Sequence, residues 1–177
     1  MITTQQKAAA AERALVYMDW AGITVTDEEK SRVEVADFGL SDLDSIGLEI
    51  LTYVNTDRVC SKELVLFPFQ TCPEHKHVGR GRGLGKEETF RCRRGKVYLY
   101  VDGAKTPDIK AKAINSETTV YHEIELNPGQ QYTIMPGTKH WFQGGAEGAV
   151  VSEFSTHSND ASDKFTDPNV KRETIVK

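Results

Sequence analysis

The feature that most constrains the fold is a succession of short strand-forming segments between residues 48 and 155. Each segment is rich in β-branched, aromatic or aliphatic residues, and glycine or proline turns separate many of them. This punctuation is typical of an all-β sandwich or barrel. We expect a tight hairpin at Asp102-Gly103 and a turn at Gly144-Gly145. The predicted strands are residues 48–54, 61–67, 88–92, 96–101, 118–126, 131–135, 139–143 and 149–155.

The segments before and after these strands have a different pattern. Residues 4–20 combine high helix propensity with apolar positions at helical spacing, and they begin with a capping-box signature, Thr3 to Gln6. A second such signature opens a short helix at residue 27, and residues 37–47 are a polar connection. The tail is polar, with Phe165 as its candidate anchor. We therefore predict one domain over residues 1–177, made of N-terminal helices and connection (1–47), a β-barrel (48–155) and a C-terminal tail (156–177).

Composition narrows the classes of protein to which the chain can belong. Its 177 residues suffice for one domain with a real core, and 22 basic against 26 acidic residues leave no footprint for nucleic acid. No apolar run is long enough to span a membrane, and the N-terminus lacks the pattern of a signal peptide. Three cysteines without Cys-x-x-Cys spacing favour reduced thiols in the cytoplasm. We expect neither a nucleic-acid partner nor a membrane partner.

Three histidines and one glutamate form a candidate metal site. His75 and His77 are two residues apart, and on a strand that spacing places both imidazoles on one face. Glu88 opens a predicted strand, and His140 lies where a Pro-Gly turn runs into another strand. A lone His-x-His pair is more often incidental, but here a carboxylate and a third imidazole are available to the same cation. This donor set suits manganese, iron, cobalt, nickel or zinc and leaves positions for water or substrate.

The spacing of these residues resembles the two sequence motifs of the cupin barrels. The first motif is His-x-His, then Glu, six residues and Gly; the second is Gly, then Pro-Gly, two residues and His. The matching residues are His75, His77, Glu88 and Gly95 for the first motif, and Gly129, Pro136, Gly137 and His140 for the second. One departure is the ten-residue gap before Glu88, where cupins usually have three or four residues. Glu87 is an alternative ligand, but Glu88 keeps the six-residue spacing to Gly95.

A closer resemblance covers most of the chain from residue 55 to residue 168. Strings such as Thr71-Cys-Pro-Glu-His-Lys-His77 and His140-Trp-Phe-Gln143 resemble the bacterial D-lyxose isomerase family. The resemblance implies a mainly β, single-domain cupin (a double-stranded β-helix, or jelly-roll barrel) that forms a homodimer. It also implies one divalent metal, usually manganese, and interconversion of D-lyxose with D-xylulose and of D-mannose with D-fructose. The residues that it assigns as metal ligands are His75, His77, Glu88 and His140.

An aldose–ketose isomerase also needs a group that moves a proton between two carbons of the substrate. Lys62 shares a strand face with two leucines, and Glu153 alternates in phase with Val151, so both charges are candidates for the barrel interior. We predict Glu153 as the base and Lys62 as its acid or electrostatic partner, both touching the substrate; exposure at a strand edge is the alternative for each. Asp167 is a third candidate for substrate binding, against the alternative of a turn-capping aspartate.

The glycine-rich loop in the gap leaves two interpretations open. It is not a P-loop, because Lys86 is followed by Glu87 rather than by Ser or Thr. It is either a mobile lid with glycine hinges, which we favour, or a phosphate site built on Arg80 and Arg82. The phosphate reading implies a sugar-phosphate isomerase. Other rivals are an iron-dependent cupin dioxygenase and a non-catalytic metal- and sugar-binding cupin, neither of which has a use for an inward Glu–Lys pair.

Overall fold

A computed structural model describes residues 1–79 and 83–177. Within them, nine strands curl into a cupin barrel behind one long N-terminal helix, which confirms the predicted fold class. None of the helices in this part of the chain is both long and apolar enough to cross a membrane. The elements are α1 (Thr4–Trp20), α2 (Asp27–Lys30), β1 (Glu34–Ala36), β2 (Leu48–Asn55), β3 (Cys60–Leu66), β4 (Thr71–Lys76), β5 (Glu88–Val101), β6 (His122–Leu126), β7 (Gln131–Ile134), β8 (His140–Ser155), a 3₁₀ turn (Asp160–Ser162) and β9 (Lys164–Phe165).

Two long antiparallel strands, β5 and β8, form the spine of the barrel. β8 pairs with β3 through its C-terminal half and with β4 through its N-terminal half, while β5 follows its other edge. The breaks predicted inside each of these strands were wrong. Gly95 and Gly148 have φ of 70° and 78°, and a Cβ on Gly95 would stand 2.1 Å from the Gly148 carbonyl oxygen. These glycines let the strands bend and approach each other without ending them.

The tight hairpin predicted directly after β5 was also wrong. β6 does pair with β5, but residues 102–121 lie between the two strands. The buried carboxylate of Glu74 on β4 accepts hydrogen bonds from the amides of Thr119 and Val120 at 2.7 and 2.9 Å. A side chain thus satisfies backbone donors that a neighbouring strand would otherwise bind. Residues 118–121, predicted as strand, are a loop for this reason.

Two apolar layers lie on opposite faces of the sheet. Alternation along β3 sends Lys62 and Leu64 to the barrel interior, as the sequence predicted, and it sends Val65 to the layer under α1. Both predicted capping boxes are present, at the starts of α1 and α2. We call the layer between α1 and the sheet the helix layer; its buried apolar members are Ile2, Ala10, Ala14, Met18, Val33, Val35, Leu51, Val65, Phe67 and Val150.

The C-terminal tail returns to the barrel at β4. β9 pairs with β4, with Phe165 opposite His75, and the two rings lie 5.5 Å apart between centroids. Thr166 adds a hydrogen bond from its hydroxyl to the Glu74 carboxylate at 2.6 Å. The prediction that Phe165 anchors the tail is therefore confirmed, and the anchor lies against a candidate metal ligand.

Candidate active site

Three imidazoles converge inside the barrel. His75 on β4 lies opposite His140 on β8, and His77 follows the last residue of β4. Their metal-binding atoms lie within 4.8 Å of one another, and all three residues are buried. The Nδ1 atoms of His75, His140 and His77 meet the acceptors Pro73 O at 2.8 Å, Thr138 O at 3.0 Å and Asp163 Oδ1 at 2.6 Å. In its neutral form each ring would carry its proton on Nδ1 and offer the Nε2 lone pair to the centre.

Glu88, the first residue of β5, brings a carboxylate to the same centre. Its Oε1 atom lies 3.2 Å from His77 Nε2 and 3.0 Å from His140 Nε2. In the described part of the chain His140 Nε2 is buried without a hydrogen-bond partner, although the carboxylate is so close. Two acceptor atoms that face each other at this distance need a cation or a proton between them. Three imidazoles and one carboxylate could thus hold a divalent metal, and the structure brings all four predicted ligands together.

Burial and neighbouring charges shift the pKa values of these groups in different directions. Burial, reinforced by the other two imidazoles, holds the pKa of His75 well below its usual range. Burial opposes the charged form of His77, but Glu88 and Asp163 outweigh it and raise the pKa of His77 to about 9. Burial alone would raise the pKa of Glu88, yet Lys86 and His77 hold it well below normal. Glu88 is therefore an ionised carboxylate, and a cation bound beside it would take the place of the proton that raises the charge of His77.

Lys86 was not among the predicted site residues. It is buried, and its Nζ lies 2.6 Å from Glu88 Oε2 and 2.9 Å from Glu153 Oε1. Burial opposes the charge of Lys86, but these two carboxylates outweigh it and raise the pKa, so the side chain stays an ammonium. The spacing of Lys86 from Glu88 in the sequence could have identified it. Lys86 precedes Glu88 by two residues, so both side chains share a face where the chain is extended.

The two predicted catalytic residues face the same cavity. Glu153 on β8 lies opposite Lys62 on β3 in the strand register, and both are buried. Glu153 Oε1 accepts hydrogen bonds from Lys86 at 2.9 Å and from the Ser155 hydroxyl at 3.0 Å, so neither donor uses Oε2. The inward direction predicted for both charges is confirmed, whereas their chemical roles stay predictions.

The C-terminal tail contributes charged side chains to the site, and the sequence did not predict them. Asp160 lies 3.0 Å from Lys62 Nζ and 3.1 Å from Arg172 Nη2. Burial opposes the ionised form of Asp160, but Lys62 and Arg172 outweigh it and hold the pKa far below normal. Burial also opposes the charge of Lys62, and the carboxylates of Glu153 and Asp160 raise its pKa despite this. Lys62 therefore reaches the cavity as half of an ion pair.

These groups line one cavity inside the barrel. Part of its lining is charged and consists of the residues described above. The apolar part consists of Phe38, Leu48, Ile50, Leu64, Cys72, Phe90, Phe142 and Phe165.

Asp167 does not line this cavity. Its carboxylate accepts hydrogen bonds from the Asn115 side chain at 2.8 Å and from the Asn169 amide at 2.8 Å, as a turn-capping aspartate does. Its predicted role in substrate binding gains no support from these contacts and stays a prediction. Arg80 and Arg82, the candidate phosphate-binding pair, lie outside the described residues.

Comparison with known proteins identifies the family. Residues 23–177 match the D-lyxose isomerase family. The chain belongs to this family. A D-lyxose/D-mannose isomerase of Thermosediminibacter oceani is 63% identical over 164 residues, which are 91% of each chain. A D-lyxose ketol-isomerase of a Thermofilum species is 57% identical over 175 residues, or 97% of each chain. This member of the D-lyxose isomerase family is therefore an aldose–ketose isomerase.

Solved structures with a similar fold are L-ribose isomerases. The ligand-free enzyme of Cellulomonas parahominis superposes with a TM-score of 0.83 at 15% identity, covering 99% of this chain and 98% of that one. The enzyme of Acinetobacter sp. DL28 in complex with L-ribose gives a TM-score of 0.77 at 14% identity over the same shares. At such low identity these similarities support the barrel architecture.

Proposed function

We propose that this member of the D-lyxose isomerase family is a metal-dependent enzyme that interconverts D-lyxose with D-xylulose and D-mannose with D-fructose. The observation that carries the proposal is the convergence of three Nε2 atoms and the Glu88 carboxylate beside the Lys86–Glu153 pair. Moving a carbonyl between neighbouring carbons requires an electrophile at the oxygens and a group that carries a proton. Relatives named for D-lyxose and D-mannose support both sugars as substrates.

The residues divide this chemistry among themselves. A divalent cation held by His75, His77, Glu88 and His140 would supply a Lewis acid for the two reacting oxygens. Glu153 takes the proton from one reacting carbon and returns it to the other, and its Oε2 is the atom that Lys86 and Ser155 do not engage. Lys62 donates to the sugar and stabilises negative charge as it develops. Lys86 keeps the Glu153 carboxylate and the Glu88 carboxylate in fixed positions.

The donor set narrows the choice of metal without selecting one. Imidazole and carboxylate ligands suit several first-row divalent ions, whereas thiolate ligands would favour softer metals. Among the described residues the ligand cluster contains no cysteine. Cys72 does line the cavity, but burial raises the pKa of its thiol well above normal and so disfavours the thiolate form that binds metals. We propose manganese, which the family resemblance implies.

The same resemblance supports a homodimer, and the thiols support a cytoplasmic enzyme. Cys60, Cys72 and Cys92 are all buried and unpaired. Proteins in oxidising compartments more often pair such residues as disulfides. We therefore place the proposed dimer in the cytoplasm, with a free aldose or ketose as its small-molecule partner.

The experiment that tests the function is an assay of metal-stripped protein with D-lyxose and with D-mannose. We expect little ketose before metal is added and turnover of both sugars with manganese. Iron, cobalt, nickel and zinc, added separately, test the choice of metal. Tight manganese binding without turnover of either sugar would reject the proposal and redirect the search to phosphorylated sugars.

A histidine pair provides the matched variants for this assay. We expect His140→Ala to lose bound metal and activity together, because it removes a ligand from the centre of the site. His122→Ala is the control, since His122 lies on β6 and its ring nitrogen meets the Ala104 carbonyl at 3.0 Å. It should keep both metal and activity. Full activity in a His140→Ala protein without bound metal would contradict the proposed role of the cation.

A further inference from the structure

Phe38 combines two features that the chemistry above does not use. It lies between β1 and β2, where the sequence predicted a polar connection, yet it is only 2% exposed and its side chain lines the cavity. Its backbone φ is 51°, in the left-handed region that bulky L-residues rarely adopt. Such a conformation costs free energy and persists only where surrounding contacts impose it. The position therefore calls for an explanation beyond ordinary packing.

Backbone contacts on both sides impose this conformation. The Asp37 carboxylate accepts a hydrogen bond from the Gly39 amide at 3.0 Å, and the Asp37 carbonyl accepts one from the Leu40 amide at 3.1 Å, which closes a turn around Phe38. The Phe38 carbonyl accepts a hydrogen bond from the Lys171 amide at 2.9 Å. The turn is thereby tied to the C-terminal tail, and the ring is held towards the cavity.

The ring continues an apolar wall that begins at the ligands. The Phe165 ring lies 5.5 Å from the His75 ring, and the Phe38 ring lies 5.8 Å from the Phe165 ring. Leu48 and Ile50 of β2 line the cavity together with Phe38. Phe38 is thus the second ring along this wall, at the end farther from the ligands, and it lines the same cavity.

We infer that Phe38 limits the length of the sugar chain that the cavity accepts. The inference rests on the proposed function: a substrate whose reacting carbons lie between the ligands and Glu153 would extend its remaining carbons along the rest of the cavity. D-mannose exceeds D-lyxose by one carbon with its hydroxyl, at that far end. An apolar wall discriminates between substrates that differ by one carbon by about 10- to 200-fold. The full ring of Phe38 therefore favours the pentose over the hexose.

The experiment compares kcat/KM for D-mannose and D-lyxose in the manganese-loaded full chain. We expect Phe38→Ala to raise the ratio of D-mannose to D-lyxose by about tenfold, and Phe38→Leu to raise it less. The ratio separates specificity from packing, because a loss of packing alone lowers kcat/KM for both sugars equally. Phe38→Leu retains most of the apolar volume, so it decides the question if Phe38→Ala does not fold.

Phe69 provides a matched control. It is also a phenylalanine with a left-handed backbone, φ 58°, but it does not line the cavity, and Lys112 Nζ lies 4.3 Å from its ring. Phe69→Ala should leave the ratio unchanged. An unchanged ratio in the folded Phe38 variants, or an equal rise in Phe69→Ala, would overturn the inference. Absence of turnover by the parent protein with either sugar would instead reject the proposed function, so the two failures are distinguishable.

Discussion

Buried ionisable side chains occur on both faces of the sheet, and their protonation states differ between the two faces. In the barrel interior, acids face bases: Lys86 lies between Glu88 and Glu153, and Lys62 lies 3.0 Å from Asp160. These contacts keep the buried groups charged, because each carboxylate lowers the cost of the ammonium beside it. The interior therefore offers ionised groups to a ligand.

The helix layer contains the opposite case. Glu49 on β2 is fully buried, and its Oε1 accepts a hydrogen bond from Gln70 Nε2 at 3.3 Å. Within the described chain Glu49 Oε2 has no hydrogen-bond partner. Burial raises the pKa of Glu49 to about 8, and the hydrogen bond from Gln70 only partly opposes the shift. This acid is protonated at neutral pH, whereas Glu88 and Asp160 in the interior are ionised.

The difference shows that the interior charges are better explained by function than by stability. A buried ion pair is often no more stabilising than apolar residues of the same volume, because desolvation offsets the attraction. A barrel that needed only a core could have used apolar residues on both faces. Removing a charge from the interior should therefore damage catalysis or metal binding, while removing Glu49 should change only stability.

The largest expected effect is that of Glu153→Gln. The amide keeps the shape of the side chain and can still accept from Lys86, but it cannot take up a proton, so kcat should fall by about 10²- to 10⁴-fold with metal retained. Glu63→Gln is the control: Glu63 is buried on the other face of β3 and accepts from the Ser152 hydroxyl at 2.9 Å. Steady-state rates and bound manganese measure both. Normal turnover by Glu153→Gln would show that another group is the base.

Asp163→Asn should have the next largest effect, on metal affinity. The Asp163 carboxylate lies 2.6 Å from His77 Nδ1 and fixes the ring with Nε2 towards the centre. Loss of such an outer partner typically weakens metal binding by about 10- to 100-fold. Titration with manganese measures the dissociation constant directly. Asp167→Asn is the control from the same tail; a raised KM there, with normal metal affinity, would revive the substrate role predicted from the sequence.

The ligand set could be predicted because its signals are local. His75 and His77 share a face by strand periodicity, and Glu88 and His140 stand at motif spacings from turn glycines. The inward direction of Lys62 and Glu153 follows from the same alternation. Local patterns failed where a contact distant in sequence decides the structure, as Glu74 does when it replaces strand partners in the loop before β6.

The rest of the site depends on where the tail and the N-terminal connection fold. Asp160 and Asp163 lie more than eighty residues from Lys62 and His77, and nothing in their spacing indicates these pairs. Phe38 lines the cavity only because Lys171 and Asp37 hold an unfavourable backbone conformation. Periodicity carries no information about such contacts. Glu49 is a further example, because its alternation on β2 gives its face but not the rise in its pKa that burial causes.

The smallest expected effect on catalysis is that of Glu49, which tests the stability half of the comparison. The pKa of this carboxyl is about 8 in the folded protein and about 4.5 when unperturbed. Between those values the folded state retains a proton that the unfolded state has lost, so the contribution of Glu49 to stability is full below pH 4.5 and declines up to pH 8. Glu49→Gln removes this dependence. The free energy of unfolding of the variant minus that of the parent should therefore grow by about 1.4 kcal/mol per pH unit between pH 5.5 and 7.5.

Denaturant unfolding at several pH values measures this slope. The slope of the difference with pH does not depend on the constant cost of the amide, whose new N–H₂ group takes the place of the Oε2 atom that has no hydrogen-bond partner within the described chain. Glu12→Gln removes an exposed carboxylate from α1 and serves as the control for net charge. Catalysis should not respond, because Glu49 lies outside the cavity lining. A flat difference would mean that Glu49 is ionised in the folded protein, and a buried cation, as in the interior, would then have to be its partner.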